Sequence, residues 1–161
     1  MNHLRALVLF ASIGAFPACT GGDGSVVAQN ADGTLRVAHA ADARWKQELA
    51  HQEMEAALEH LPRIDLVYAH NDPMAAGAAQ ACKAKGRTGI KFVGVDGLRG
   101  EGQKYVADGL LDATLEYPTG AAAAIDMALL ACSGIAPPRR IVLGTRIYTK
   151  ATLAKGGTLV P

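Results

Sequence analysis

The chain has 161 residues, 50% of them hydrophobic and only 5% aromatic, with 16 Lys and Arg against 15 Asp and Glu for a formal net charge of +1. That length builds one ordinary globular domain. The apolar content excludes a disordered chain, and the balanced charge lacks the basic excess of a nucleic-acid binder.

The first segment reads as a leader. Residues 6–16 form an uncharged apolar run after Arg5, too short to span a bilayer but of the length of a signal-peptide apolar region. Pro17-Ala18-Cys19, followed by a Gly/Ser/Asp linker, resembles a bacterial lipoprotein signal in which Cys19 becomes the lipidated first residue. A plain secretory signal cut later, for example after Ala28, fits the same composition. Residues 1–28 are read as a signal- or lipoprotein-like segment and linker. The expected location is the periplasm, or the extracytoplasmic side of the membrane through a lipid anchor.

Alternation begins after residue 33. A short strand is expected at 34–38, and Asp42 then caps a helix to about Leu61, with Leu49, Ala50, Met54, Ala57, Leu58 and Leu61 as its apolar stripe and Pro62 as its stop. A strand at 64–69 leads through His70-Asn71 into Asp72-Pro73, read as a helix cap followed by proline in the first turn. That helix runs to about Lys85 and ends at Gly86. Residues 90–95 are a nearly continuous apolar strand, as in a sheet covered on both faces. A short helix follows at 101–107, a strand at 111–116, a helix at 121–132, and a last strand at 140–148 after Pro137-Pro138, leaving 151–161 as a tail. Alanine, 31 residues in all and concentrated at 75–84 and 121–131, lets such helices lie close on a sheet. Repeated β-α-β units specify an α/β fold with a mostly parallel, Rossmann-like sheet and flanking helices.

Open sheets of this kind bind ligands beyond the carboxyl ends of their strands. The residues there are Asn71, Asp96, Glu116 and Tyr117, with Trp45 after the first strand. No Ser/His/Asp or Cys/His arrangement and no metal spacing accompanies them, so binding without chemistry is expected, with no cofactor, no metal and no catalytic residue. Cys82 and Cys132 are read as buried small apolar residues. A carboxylate that accepts two hydroxyl hydrogens, a carboxamide and an indole face suit a neutral polyhydroxylated ligand. Simpler roles stay open for three of them: packing for Trp45, and turn formation for Asn71 and Asp96. Asp72 is read as a cap rather than a ligand.

These residues carry a resemblance. Ala43-Arg44-Trp45, Asn71-Asp72-Pro73-Met74-Ala75, Val93-Gly94-Val95-Asp96-Gly97, Ala113-Thr114-Leu115-Glu116-Tyr117-Pro118 and Tyr148-Thr149-Lys150 look like the C-terminal part of type I, ribose-binding-like periplasmic sugar-binding proteins, the solute receptors of ABC transporters. The resemblance covers residues 34–150. It implies that Trp45 packs on the sugar and that Asn71 and Asp96 bind its hydroxyls. The family often has a glutamine after the Ala-Thr strand; here Tyr117 takes that place, with Glu116 in reserve. The implied partners are a small-molecule sugar and an ABC transporter permease in the inner membrane. A sensory module passing a sugar-like signal to a membrane kinase, or a non-functional gene fragment, is the alternative.

The same resemblance implies an incomplete second lobe. The first lobe and the opening strand of the second would be absent, the sheet would lack a central strand, and the helix at 121–132 would have no partner for its apolar face. A half cleft leaves one side of the ligand wet, so the expected affinity is no better than about millimolar, or about −4 kcal/mol.

Overall fold

The computed structural model describes residues 5–11 and 35–160. Its elements in chain order are β1 (Arg5–Ala11), β2 (Leu35–Asp42), α1 (Gln47–His60), β3 (Leu66–Ala69), α2 (Asp72–Ala84), β4 (Lys91–Asp96), α3 (Gly102–Ala107), β5 (Ala113–Glu116), α4 (Ala121–Cys132), β6 (Thr145–Thr149), a single 3₁₀ turn (Leu153–Lys155) and β7 (Thr158–Val160).

The strands form one sheet in the order β2-β1-β3-β4-β5-β6-β7. The first five are parallel, and β6 and β7 close the edge antiparallel. The fold is thus α/β with a mixed, mostly parallel sheet and flanking helices. Its core combines Val8, Val67 and Phe92 from the strands with Ala50 and Met54 of α1, Met74, Ala75 and Ala78 of α2 and Val106 of α3. Alanine lets α2 lie deep: nine of its residues are buried, from Asp72 to Cys82.

Four expectations change. The sheet has no missing central strand, because β1 pairs with β2 on one side and β3 on the other. A run such as Leu7-Val8-Leu9-Phe10 is apolar enough for a signal, and equally suits an interior strand covered on both faces. Periodicity does not separate the two. Cys19 and the rest of the leader reading lie outside the described residues. Secondly, Asp42 does not cap α1, which starts at Gln47 after Lys46; its Oδ1 instead accepts from the backbone N–H of Arg44 at 2.9 Å. Thirdly, the last strand is shorter than 140–148, and residues 158–160 of the expected tail form β7. Ile141 and Val142, apolar enough to read as strand, are exposed instead. Finally, Cys82 is buried and burial pushes its thiol up to about 11, whereas Cys132 is exposed on α4.

Helix α4 has no buried residue. Ile125 and Leu129, one turn apart, are each 62% exposed. The ends of the arm that carries α4 are pinned together by the Thr145 hydroxyl, which donates to the Glu116 carbonyl.

Candidate functional site

The parallel register brings the expected residues to one edge. Asp96, the last residue of β4, pairs directly with Glu116, the last residue of β5. The Tyr117 N–H then donates to the Asp96 carbonyl at 3.3 Å. β3 ends one residue before His70, and the turn after β2 presents Trp45. An open cleft of about 480 Å³ lies between them, lined by Trp45, Tyr68, His70, Val95, Asp96 and Tyr117.

Trp45 is held by an unusual piece of backbone. Arg44 and Trp45 have φ of 48° and 63°, two consecutive non-glycine residues in the left-handed region. Such conformations cost about 1–3 kcal/mol each and persist where surrounding contacts fix them. Here Asp42 accepts from Arg44, and the Lys46 N–H donates to the Ala43 carbonyl at 2.8 Å. The turn leaves the indole half-exposed, 50% accessible, rather than packed in the core. Its ring lies 6.5 Å from that of His70, which meets Tyr68 edge-on at 5.6 Å. The three rings line the same cleft as Asp96.

Asp96 is the third strained residue, with φ of 111°. Partial burial holds its carboxyl above the ordinary aspartate range, and burial raises the Tyr68 phenol likewise. The site therefore offers one carboxylate acceptor beside three rings and a phenol 68% exposed on Tyr117. An apolar wall with a few convergent polar groups binds and orients a small neutral ligand. Among the described residues no group of three His, Cys, Asp or Glu is placed to hold a metal ion.

Asn71 does not line this cleft. It is buried, its Oδ1 accepts from the Met74 N–H at 2.9 Å as the N-cap of α2, and its Nδ2 donates to the Trp45 carbonyl at 3.2 Å. The cap expected of Asp72 thus belongs to Asn71, one residue earlier. Glu116 faces an adjoining cleft of about 890 Å³ that also includes Asp96, Tyr117, Arg146 and Tyr148. Tyr68 and His70 are the residues that sequence reasoning missed. Their signal was available, because both stand at the end of a strand whose neighbours were singled out.

A family model described as a periplasmic binding protein domain matches residues 21–135. The chain is 36% identical over 88 residues to the xylitol-binding protein of Mycolicibacterium smegmatis, covering 51% of this chain and 25% of that protein. It is 40% identical over 76 residues to a D-apiose import binding protein of Actinobacillus succinogenes, covering 47% of this chain and 24% of that one. A solved fructose-binding periplasmic domain of a hybrid two-component system aligns with a TM-score of 0.78 and 31% identity over 95% of this chain and 52% of its own. The fold is shared as well by a periplasmic solute-binding protein of an ABC transporter from Actinobacillus succinogenes with bound D-allose, at a TM-score of 0.74 and 21% identity over 94% of this chain and 55% of that one. The chain spans about a quarter of these two curated relatives and about half of these two solved structures. With a family match over most of its length and a strand-edge cleft on a type I sheet, the chain belongs to the periplasmic binding protein family.

Proposed function

We propose that the chain binds a sugar or sugar alcohol in the cleft at the carboxyl edge of its sheet, as the solute-binding component of an ABC transporter. The observation that carries this reading is that Asp96 lines one open cleft together with Trp45, His70 and Tyr68. An aspartate accepts two hydroxyl hydrogens in charge-assisted bonds, and an indole face covers the C–H face of a sugar ring. Trp45 and Asp96 hold the ligand, Tyr117 closes one side, Glu116 contributes from the adjoining cleft, and Asn71 acts through the backbone of Trp45. The names of the relatives, which bind xylitol, D-apiose and fructose, support a polyhydroxylated ligand.

The reading extends to a periplasmic location, with transfer of the ligand to a permease in the inner membrane. Export by the apolar leader and a lipid anchor on Cys19 are the competing reading of residues 6–16, because a cut before Cys19 removes β1 from between β2 and β3. Their support is the Ala18-Cys19 pattern and a family match that starts at residue 21. A sensory role is the second reading, supported by the likeness to the periplasmic domain of a hybrid two-component system.

Calorimetric titration with D-ribose, D-fructose and xylitol tests the binding. Trp45 at 50% and Tyr117 at 68% exposure leave the cleft open to water, so saturable binding at about millimolar concentration is expected. Absence of saturable heat for every pentose, hexose and polyol tried would contradict the reading.

A further inference from the structure

A buried carboxylate stands directly behind the cleft and takes no part in lining it. Asp72, at the start of α2, is fully inaccessible. Its Oδ2 accepts from the Gly97 N–H at 2.9 Å and its Oδ1 from the Thr114 hydroxyl at 2.6 Å. One side chain thus joins three elements: α2, the turn after β4 and the middle of β5.

The surroundings are shaped around this group. A Cβ placed on Gly94 of β4 would overlap Asp72 Oδ1, and one placed on Gly102 at the start of α3 would overlap Oδ2. Two elements therefore approach the carboxylate more closely than any side chain permits. Gly97 follows Asp96, whose φ of 111° holds only where neighbouring contacts enforce it. The Gln103 side chain fixes the next peptide of the same turn, its Nε2 donating to the Gly97 carbonyl at 2.8 Å.

We propose that Asp72 is a positioning residue for sugar binding: by holding the Gly97 N–H and the Thr114 hydroxyl, it fixes Asp96 in the strained conformation that turns its carboxylate into the cleft. This rests on the reading of Asp96 as the hydroxyl-binding residue. Asp72 itself touches no ligand. The ionisable groups around it are Asp96 at the end of β4, Glu101 before α3 and Tyr105 on α3, and burial raises Asp72 itself to about 6. The clamp survives protonation, because a neutral Asp72 can donate from one oxygen to Thr114 while the other still accepts from Gly97. An asparagine reproduces that arrangement, with its carbonyl towards Gly97 and its amide towards Thr114.

The test compares Asp72→Asn, Asp72→Ala and Thr114→Val in the full chain, with two readouts. The first needs no ligand: the amide shift of Gly97 and the HN–Hα coupling of Asp96, by NMR, report the clamp and the φ of Asp96. The second is affinity for whichever of D-ribose, D-fructose or xylitol the wild type binds. Asp72→Asn is expected to retain both the coupling and an affinity within about threefold of wild type. Asp72→Ala is expected to shift Gly97, change the Asp96 coupling and weaken binding by about tenfold or more. If Asp72→Ala does not fold, Thr114→Val carries the test and is expected to move the same two signals by less. A folded Asp72→Ala, or failing that Thr114→Val, with an unchanged Asp96 coupling would overturn the proposal. So would a Tm loss with affinity unchanged, which marks a purely structural role. Unchanged affinity in Asp96→Ala would instead remove the sugar reading and leave the NMR result standing.

Discussion

Asn71 tethers the aromatic that faces the cleft to the helix that carries the family motif: its Nδ2 donates to the Trp45 carbonyl at 3.2 Å while its Oδ1 caps α2 through Met74. The carboxamide spends one donor and one acceptor inside the protein. Its two functions are separable. Asn71→Ser keeps a hydroxyl acceptor for the cap but loses the donor to Trp45, so it is expected to lose less stability than Asn71→Ala and still weaken sugar binding. Asn71→Ala loses the cap as well and is expected to cost about 1–2 kcal/mol in urea unfolding. Equal stability in both variants would show that the cap contributes nothing.

Asp72 makes a pH prediction whose sign follows from burial. Its carboxyl is raised from 3.8 to about 6 in the folded chain, chiefly by desolvation. Between about 4 and 6 the folded state therefore holds a proton that the unfolded state releases, and stability contributed by this group falls as pH rises through that window. The full difference is about 3 kcal/mol. Asp72→Asn removes it, so the unfolding free energy of the variant is expected to change less between pH 4 and 7 than that of the wild type. The raised Asp96 remains in both chains and contributes with the same sign. A variant with a pH profile parallel to wild type would contradict this.

The leader segment gives a third prediction. Val8 is fully buried in a strand flanked on both sides by parallel partners. Val8→Asp places a charge in the core, and a chain starting at Cys19 lacks the strand altogether, which leaves the facing edges of β2 and β3 unpaired. Both are expected to lose the cooperative thermal transition of the full chain, or to aggregate on heating. A chain starting at Cys19 that melts as sharply and as high as the full chain would show that β1 is dispensable.

The exposed face of α4 predicts association. Ile125 and Leu129 stand 62% exposed on a helix with no buried residue. Replacing both by aspartate removes apolar surface from contact with water and breaks no packing, so thermal stability is expected to move by no more than about 0.5 kcal/mol. Sedimentation velocity at rising concentration is expected to show association of the wild type and less of it in the double variant. A monomeric wild type at all concentrations would contradict this.

Much of the architecture was legible because it rests on local rules. The helix at 121–132 was read with its bounds, since Gly120 and Ser133-Gly134 punctuate an unbroken alanine-rich run. β4 was read as an interior strand from its continuous apolar residues. Other features depended on tertiary context. Residues 140–144 resemble a strand in composition but pair with nothing, so β6 begins only at Thr145. The apolar run at 6–16 meets the requirements of a signal and of a central strand alike. Strand-end logic names Asn71, Asp96, Glu116 and Tyr117, with Trp45 after the first strand, and the fold brings all of these but Asn71 to the two clefts at the carboxyl edge. Asn71 and Asp72 were harder, because two adjacent polar residues at a helix start compete for one cap. Which of them caps is decided by Thr114 and Gly97, 42 and 25 residues away from Asp72. Tyr68 and His70 carry no metal spacing in the sequence, and only the tertiary fold sets their rings beside Trp45.

The central claim is that Asp96 is the hydroxyl acceptor of a sugar site backed by Trp45. The direct measurement is calorimetric titration of wild type and Asp96→Ala with the best-bound of D-ribose, D-fructose and xylitol. Saturable binding near millimolar in the wild type and a loss of at least about tenfold in the variant is the expected result, as for removal of a charge-assisted acceptor. Equal affinity in the two folded proteins would contradict it.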